Sequence, residues 1–145
     1  AALDAIRKAA APFVSRGDES GTHQRERALW QAAGQDPDTF GRWYRDVGAG
    51  MGAALNTASA MAAYVLTDRG SWLNFRNTAD LAIVFEGDPV LRNQYAYLPV
   101  NPAKHPHVAR DAAAAVEAWL VSPAAQALID GYTIGGARLF TFNAK

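Results

Sequence analysis

The residues best suited to chemistry in this chain lie close together, in the stretch SRGDESGTH at 15–23. Arg16 offers a planar guanidinium fork that can grip two oxygens of one tetrahedral anion or carboxylate. Asp18 stands two residues on, where it can hold that fork from behind. Ser15, Ser20 and Thr22 add hydroxyls. Gly21, Thr22 and His23 add main-chain N–H groups if a helix begins there, because the first turn of a helix leaves its amides without partners and carries the positive end of the dipole. A set dominated by donors, with one formal positive charge, can surround an anion. The same residue types also serve as a plain cap and turn. Arg25 and Arg27 follow near the helix start, where a cation is disfavoured by about 0.3–1 kcal/mol and a bound anion would offset that cost.

A second constellation competes for attention. GAGMGA at 48–53 approaches the dinucleotide pattern G-x-G-x-x-G/A, with Ala53 in the last place and Asp68 about twenty residues beyond the first glycine, where a ribose partner would stand. That fingerprint requires a firm strand before the first glycine, and WYRDV is a weak one. The alternative use of Gly50, Met51 and Gly52 is a glycine-rich helix start that approaches a ligand or packs closely. HPH at 105–107 offers two histidines around a proline with no third metal ligand nearby. TDRGS at 67–71 suits a strand end, an Asp cap and a helix start, with Thr67 or Arg69 as further ligand contacts. No paired carboxylates and no nucleophile-elbow setting accompany the serines.

The elements that must position these groups alternate. A helix over the first ten residues, with Leu3, Ile6 and Ala9 or Ala10 on one face, leads through Pro12 to FVS as a buried strand. The loop at 15–23 then runs into a helix over 22–33 that Gly34 stops. WYRDV is extended, and an alanine-rich helix follows the glycines. AYVLT is a strand, and RGSWLNF is a short helix capped by Asp68. DLAIVFEG and QYAYLPVN are expected as two more strands about the turn GDP. Two helices, VARDAAAAVEAWLV and PAAQALIDG, close the chain, the second with Pro123 in its first turn. Strands alternating with helices predict an α/β protein with a mixed or mostly parallel sheet. The four tryptophans are expected in the core.

Composition narrows the partners. The chain has 145 residues, half of them apolar, enough for a core. Lys plus Arg equal Asp plus Glu at fourteen each, so no broad field draws it to nucleic acid or anionic lipid, and a charged ligand must be caught locally. The absence of cysteine removes thiolate metal sites, disulfides and cysteine nucleophiles. No charged leader with an apolar core precedes the first helix, so residue 1 is expected to lie mid-domain.

PFVSRGDESGTHQRERALW, WYRDVGAGMGAALNTASAMAAYVLTDRGSWLNF and VFEGDPVLRNQYAYLPVNPAKHPHV together resemble the carboxyl-terminal two-thirds of the tungstate-binding proteins of bacterial ABC importers. RGDESGT is also similar to the anion loop of the wider phosphate-binding-protein group. The resemblance implies an α/β fold of the two-lobed periplasmic binding protein type II, no chemistry performed on the ligand, no cofactor, and an extracytoplasmic, periplasmic location. It makes Arg16 the principal oxyanion clamp, surrounded by Ser15, Ser20, Gly21 and Thr22. It also implies one complete lobe at 13–96 and the returning part of the other at 1–12 and 97–145. The amino-terminal segment of that family, which brings a threonine- and serine-rich loop, has no counterpart here. The partners implied are tungstate or molybdate, the membrane permease subunits, and either self-association or pairing with that segment. A nucleotide-binding module or enzyme using Gly48 to Asp68, and a ligand-free sensor or interaction domain, stand as alternatives.

Overall fold

The structure, a computed structural model, describes residues 2–144. Its elements are α1 (Ala2–Ala9), β1 (Phe13–Ser15), α2 (Gly21–Ala32), β2 (Tyr44–Asp46), α3 (Met51–Met61), β3 (Tyr64–Val65), α4 (Arg69–Asn74), α5 (Arg110–Leu120), α6 (Pro123–Gly131), β4 (Thr133–Ile134) and β5 (Ala137–Arg138), with 3-10 turns at Pro37–Thr39 and Pro89–Leu91. Two compact units divide after Glu86. α1 falls within the first unit.

The first unit is built on a three-stranded parallel sheet in the order β2-β1-β3. Side chains on a strand alternate between faces, and β1 uses both. Val14 points to one side, where Met51, Ala54, Leu55 and Ala58 of α3, with Ala63, bury it completely. Small alanines at that spacing let α3 lie close to the sheet. Phe13 points to the other side and meets Trp30 of α2 edge-on at 5.3 Å and Tyr44 of β2 stacked at 5.7 Å. Phe40 meets Trp30 at 5.0 Å and Trp43 meets it at 6.1 Å, so the fully buried Trp30 is the centre of an aromatic cluster that clamps α2 to the sheet. All three strands therefore point their carboxyl ends toward the starts of α2, α3 and α4.

The helices of the first unit fall where the apolar spacing places them. Two expectations are corrected. DLAIVFEG and QYAYLPVN form no strands; both run as irregular backbone, and their apolar side chains are largely bare, Val84 at 75% and Leu98 at 82% exposure. Alternating apolar residues make a strand only when a neighbouring strand takes up their N–H and C=O groups, and the described residues supply none. The tryptophans also divide: Trp30 is in the core and Trp72 packs against it, whereas Trp119 of α5 is half exposed.

The second unit packs α5 against α6 and ends in the β4–β5 hairpin, whose turn is Gly135-Gly136 with φ of 58° and 80°. Two left-handed residues in a row are what a tight hairpin demands, and the Gly-Gly pair in TIGGAR was the available signal for an element that periodicity did not reveal. Ala125 is its one buried apolar residue among those described. No single helix among the described residues is long and apolar enough to cross a membrane; α5 and α6 meet that test only as a pair bent by 64°.

Candidate anion-binding site

The stretch at 15–23 lies where its composition places it, between the end of β1 and the start of α2. Ser20 is the N-cap of α2, its Oγ accepting from the His23 N–H at 3.4 Å. The N–H groups of Gly21 and Thr22 remain without a partner among the described residues, and a side chain added at Gly21 would meet nothing within 4 Å. The mouth of the helix is open.

Arg16 is held as expected. Its Nε and Nη2 both donate to Asp18 Oδ2, at 3.0 and 2.5 Å, which leaves Nη1 outside the pair. Asp18 Oδ1 accepts from the Ser20 N–H at 3.2 Å. The Ser20 hydroxyl first, then the Arg16 guanidinium, hold the Asp18 carboxyl down to about 2, so it stays ionised and keeps the fork in place.

A second loop joins the first. The Arg16 carbonyl accepts from the Gly48 N–H at 2.9 Å and the Ala49 N–H at 3.3 Å, and the Ser15 carbonyl accepts from the Val47 N–H at 3.1 Å. Gly17 makes the close approach possible. It has φ of +61°, and a Cβ there would stand 2.7 Å from Asp46 Cβ. The glycine-rich start of α3, capped by Gly50 with no side-chain bond, thereby lies beside the start of α2. Met51 brings only its backbone to this place, since its side chain is 7% exposed within the core.

Ser15 is fully buried and points, like Phe13, to the α2 face. Its Oγ makes no hydrogen bond of proper geometry, although it lies near enough to Glu26 and Tyr44 to favour their ionised forms. Glu26 is the residue that sequence reasoning missed. It is 3% exposed, its Oε1 accepts from Tyr44 Oη at 2.6 Å and from Trp30 Nε1 at 3.3 Å, and burial pushes its carboxyl upward against those bonds. Burial likewise raises the Tyr44 hydroxyl. The available signal was a charged residue one helical turn before Trp30, on the face that must be buried.

Other expected contacts divide. Arg27 needs no bound anion, because Asp38 takes both of its Nη atoms at 2.8 and 2.9 Å. Asp68 caps α4, with Oδ1 accepting from the Ser71 N–H at 2.8 Å and Oδ2 from Ser71 Oγ at 2.6 Å, so both its oxygens are engaged away from any ribose. Arg69 pairs with Glu86. The rings of His105 and His107 lie 6.1 Å apart, and among the described residues no group of three or more His, Asp or Glu could hold a metal ion.

A parallel sheet whose carboxyl edge presents two helix starts, one of them preceded by an anchored arginine, is an α/β lobe of the kind that offers a candidate anion site. The chain belongs to the PBP superfamily, whose domain it matches over residues 2–124. It is 43% identical over 145 residues to the tungstate-binding protein TupA of Peptoclostridium acidaminophilum, covering 99% of this chain and 50% of that one. Among solved structures it resembles the tungstate-binding protein TupA from Desulfovibrio alaskensis G20, at 42% identity and a TM-score of 0.87 over 99% of this chain and 59% of that one. The tungstate ABC transporter structure from Geobacter sulfurreducens matches at 37% identity and a TM-score of 0.71, over 90% of this chain and 55% of that one. The fold is thus the α/β fold of that superfamily, and the chain spans about half the length of the curated relatives it matches.

Proposed function

We propose that this chain forms the anion-gripping part of the solute-binding component of an ABC importer, and that its ligand is tungstate, with molybdate as the closest competitor. The observation that carries this reading is the β1–α2 loop, in which Asp18 anchors Arg16 and the Gly21 and Thr22 N–H groups stay open. Relatives named as tungstate-binding proteins support it. Both ions are dianions without protons near neutral pH and only accept hydrogen bonds, so a site made of donors suits them. Hydrogen phosphate also needs an acceptor, and Asp18 is already committed to Arg16 and Ser20. In this reading Arg16, Ser20, Gly21 and Thr22 contact the anion, and the backbone of Gly50 and Met51 approaches it from α3. Residues 13–96 form the lobe that carries the loop, and 1–12 and 97–145 belong to the other. The ligand passes to permease subunits on the extracytoplasmic side.

Thermal-shift and calorimetric titration with tungstate, molybdate, sulfate, phosphate and NAD test the reading. A ligand present at a hundred times its Kd stabilises the fold by about 2.7 kcal/mol. Stabilisation by tungstate and molybdate, and none by NAD, is expected. Stabilisation by NAD alone would replace this reading with the Gly48 to Asp68 alternative, and no response to any oxyanion would leave an interaction domain of the same fold.

A further inference from the structure

Behind the open mouth of α2 lies a group that neither the loop's donors nor its arginine account for. Glu19, in the middle of the loop, has φ of +58°, a left-handed conformation that strains a residue with a Cβ. Its N–H donates to His23 Nδ1 at 3.0 Å. His23 therefore fastens the loop twice, through its backbone N–H on Ser20 Oγ and through its ring on the strained residue before it. An imidazole nitrogen that accepts carries no proton, so the neutral ring has its proton on Nε2. That Nε2 is buried and has no partner of its own, as is true of Ser15 Oγ. Glu26 lies three residues on along α2, on the same helical face and close enough for its charge to feel His23. Its Oε1 is taken by Tyr44 and Trp30, and its other oxygen accepts from none of the described residues.

We propose that His23 is the positioning residue of the anion loop, with Glu26 behind it selecting the tautomer: the buried Glu26 carboxyl favours the proton on Nε2, Nδ1 stays an acceptor for the Glu19 N–H, and the loop is held with the Gly21 and Thr22 amides facing the ligand. The inference rests on the proposed function for its ligand, but the clamp itself is a property of the protein without ligand. The logic is that of a carboxyl fixing a histidine tautomer so that the far nitrogen can do its work. Buried donors seek acceptors because leaving them unpaired is costly, and the buried Glu26 carboxyl stands one helical turn from His23.

The test uses the whole 145-residue chain. Asparagine can place its amide oxygen near the position of Nδ1, whereas glutamine reaches toward Nε2 and leaves the Glu19 N–H unanswered. His23→Asn should keep slow hydrogen exchange at the Glu19 amide and tungstate affinity within about threefold of the parent. His23→Gln should speed that exchange and weaken tungstate by about tenfold. Nitrogen-15 shifts of the parent should show Nδ1 bare and Nε2 protonated, and Glu26→Gln should give a mixture of tautomers. Equal behaviour of the two His23 variants, or a proton on Nδ1 in the parent, overturns the proposal. If the exchange and tautomer results hold while the parent takes up no tungstate, the clamp stands and the tungstate reading fails.

Discussion

The carbonyl oxygen of Arg16 receives the N–H of Gly48 at 2.9 Å, and so the loop that leads into α2 is tied to the loop that leads into α3. The backbone of Arg16 thereby joins the loops before two helix starts while its side chain, part-buried and anchored by Asp18, keeps Nη1 outside the pair. Substituting the side chain leaves that tie intact, so variants at this position separate binding from folding.

Arg16→Lys keeps the charge and loses the fork. Charge-assisted hydrogen bonds are worth about 1.5–3 kcal/mol each, so tungstate affinity should fall by about tenfold or more, and Arg16→Ala should do worse. Far-ultraviolet circular dichroism should match the parent in both cases. Calorimetric titration checks the ordering, and the assignment fails if Arg16→Ala binds as tightly as the parent.

Gly17→Ala acts on the fold instead. Its φ of +61° and the 2.7 Å approach to Asp46 Cβ leave no room for a methyl group without moving β2. The left-handed conformation alone costs an L-residue about 1–2 kcal/mol, and urea denaturation should register at least that loss. Gly21→Ala, with nothing within 4 Å of its added carbon, should destabilise far less.

Two carboxyls give the stability a pH dependence of opposite signs. The Asp18 carboxyl is held at about 2, below its ordinary 3.8, so its contribution is present above that ordinary value and is lost as pH falls toward 2. The Glu26 carboxyl is raised above its ordinary 4.5 by burial, so its contribution is full below 4.5 and is lost as pH rises through the folded value. Asp18→Asn should remove part of the acid-side loss, and Glu26→Gln should flatten the decline on the rising side. Denaturation midpoints measured between pH 2 and 8 would show whether either variant leaves its limb unchanged, which would count against the corresponding contact.

Tyr44→Phe removes the 2.6 Å hydrogen bond to Glu26 and leaves a buried carboxyl with one donor fewer. A lost partner to a buried polar group costs about 1–3 kcal/mol. The loss should grow as pH rises, since the missing donor favoured the ionised form of Glu26. A cost independent of pH would mean that the hydroxyl serves packing alone.

Bare apolar side chains along residues 83–100, including Val84, Phe85, Tyr95 and Leu98, make self-association the expected behaviour of the 145-residue chain. Light scattering should show mass rising with concentration, and Val84→Lys with Leu98→Lys should suppress it. A clean monomer at high concentration would contradict this.

The amino-acid sequence by itself determined the helices, their caps and the turn at 15–23. Ser20 caps α2 and Asp68 caps α4 because short polar side chains satisfy helix amides within three residues, and that chemistry needs nothing distant. Arg16 and Asp18 pair across two positions for the same reason. Tertiary structure decided what depends on residues far apart in the chain. Trp30, Phe13 and Tyr44 had to meet before Glu26 could be enclosed, so no local pattern disclosed the Glu26–Tyr44 bond across eighteen positions. Ser15 likewise faces α2 because β1 lies between β2 and β3 with α3 on its other side. DLAIVFEG carries strand-like residues yet forms no strand, because a strand is a hydrogen-bonded relation between two segments, and a single segment can specify only its own half of it.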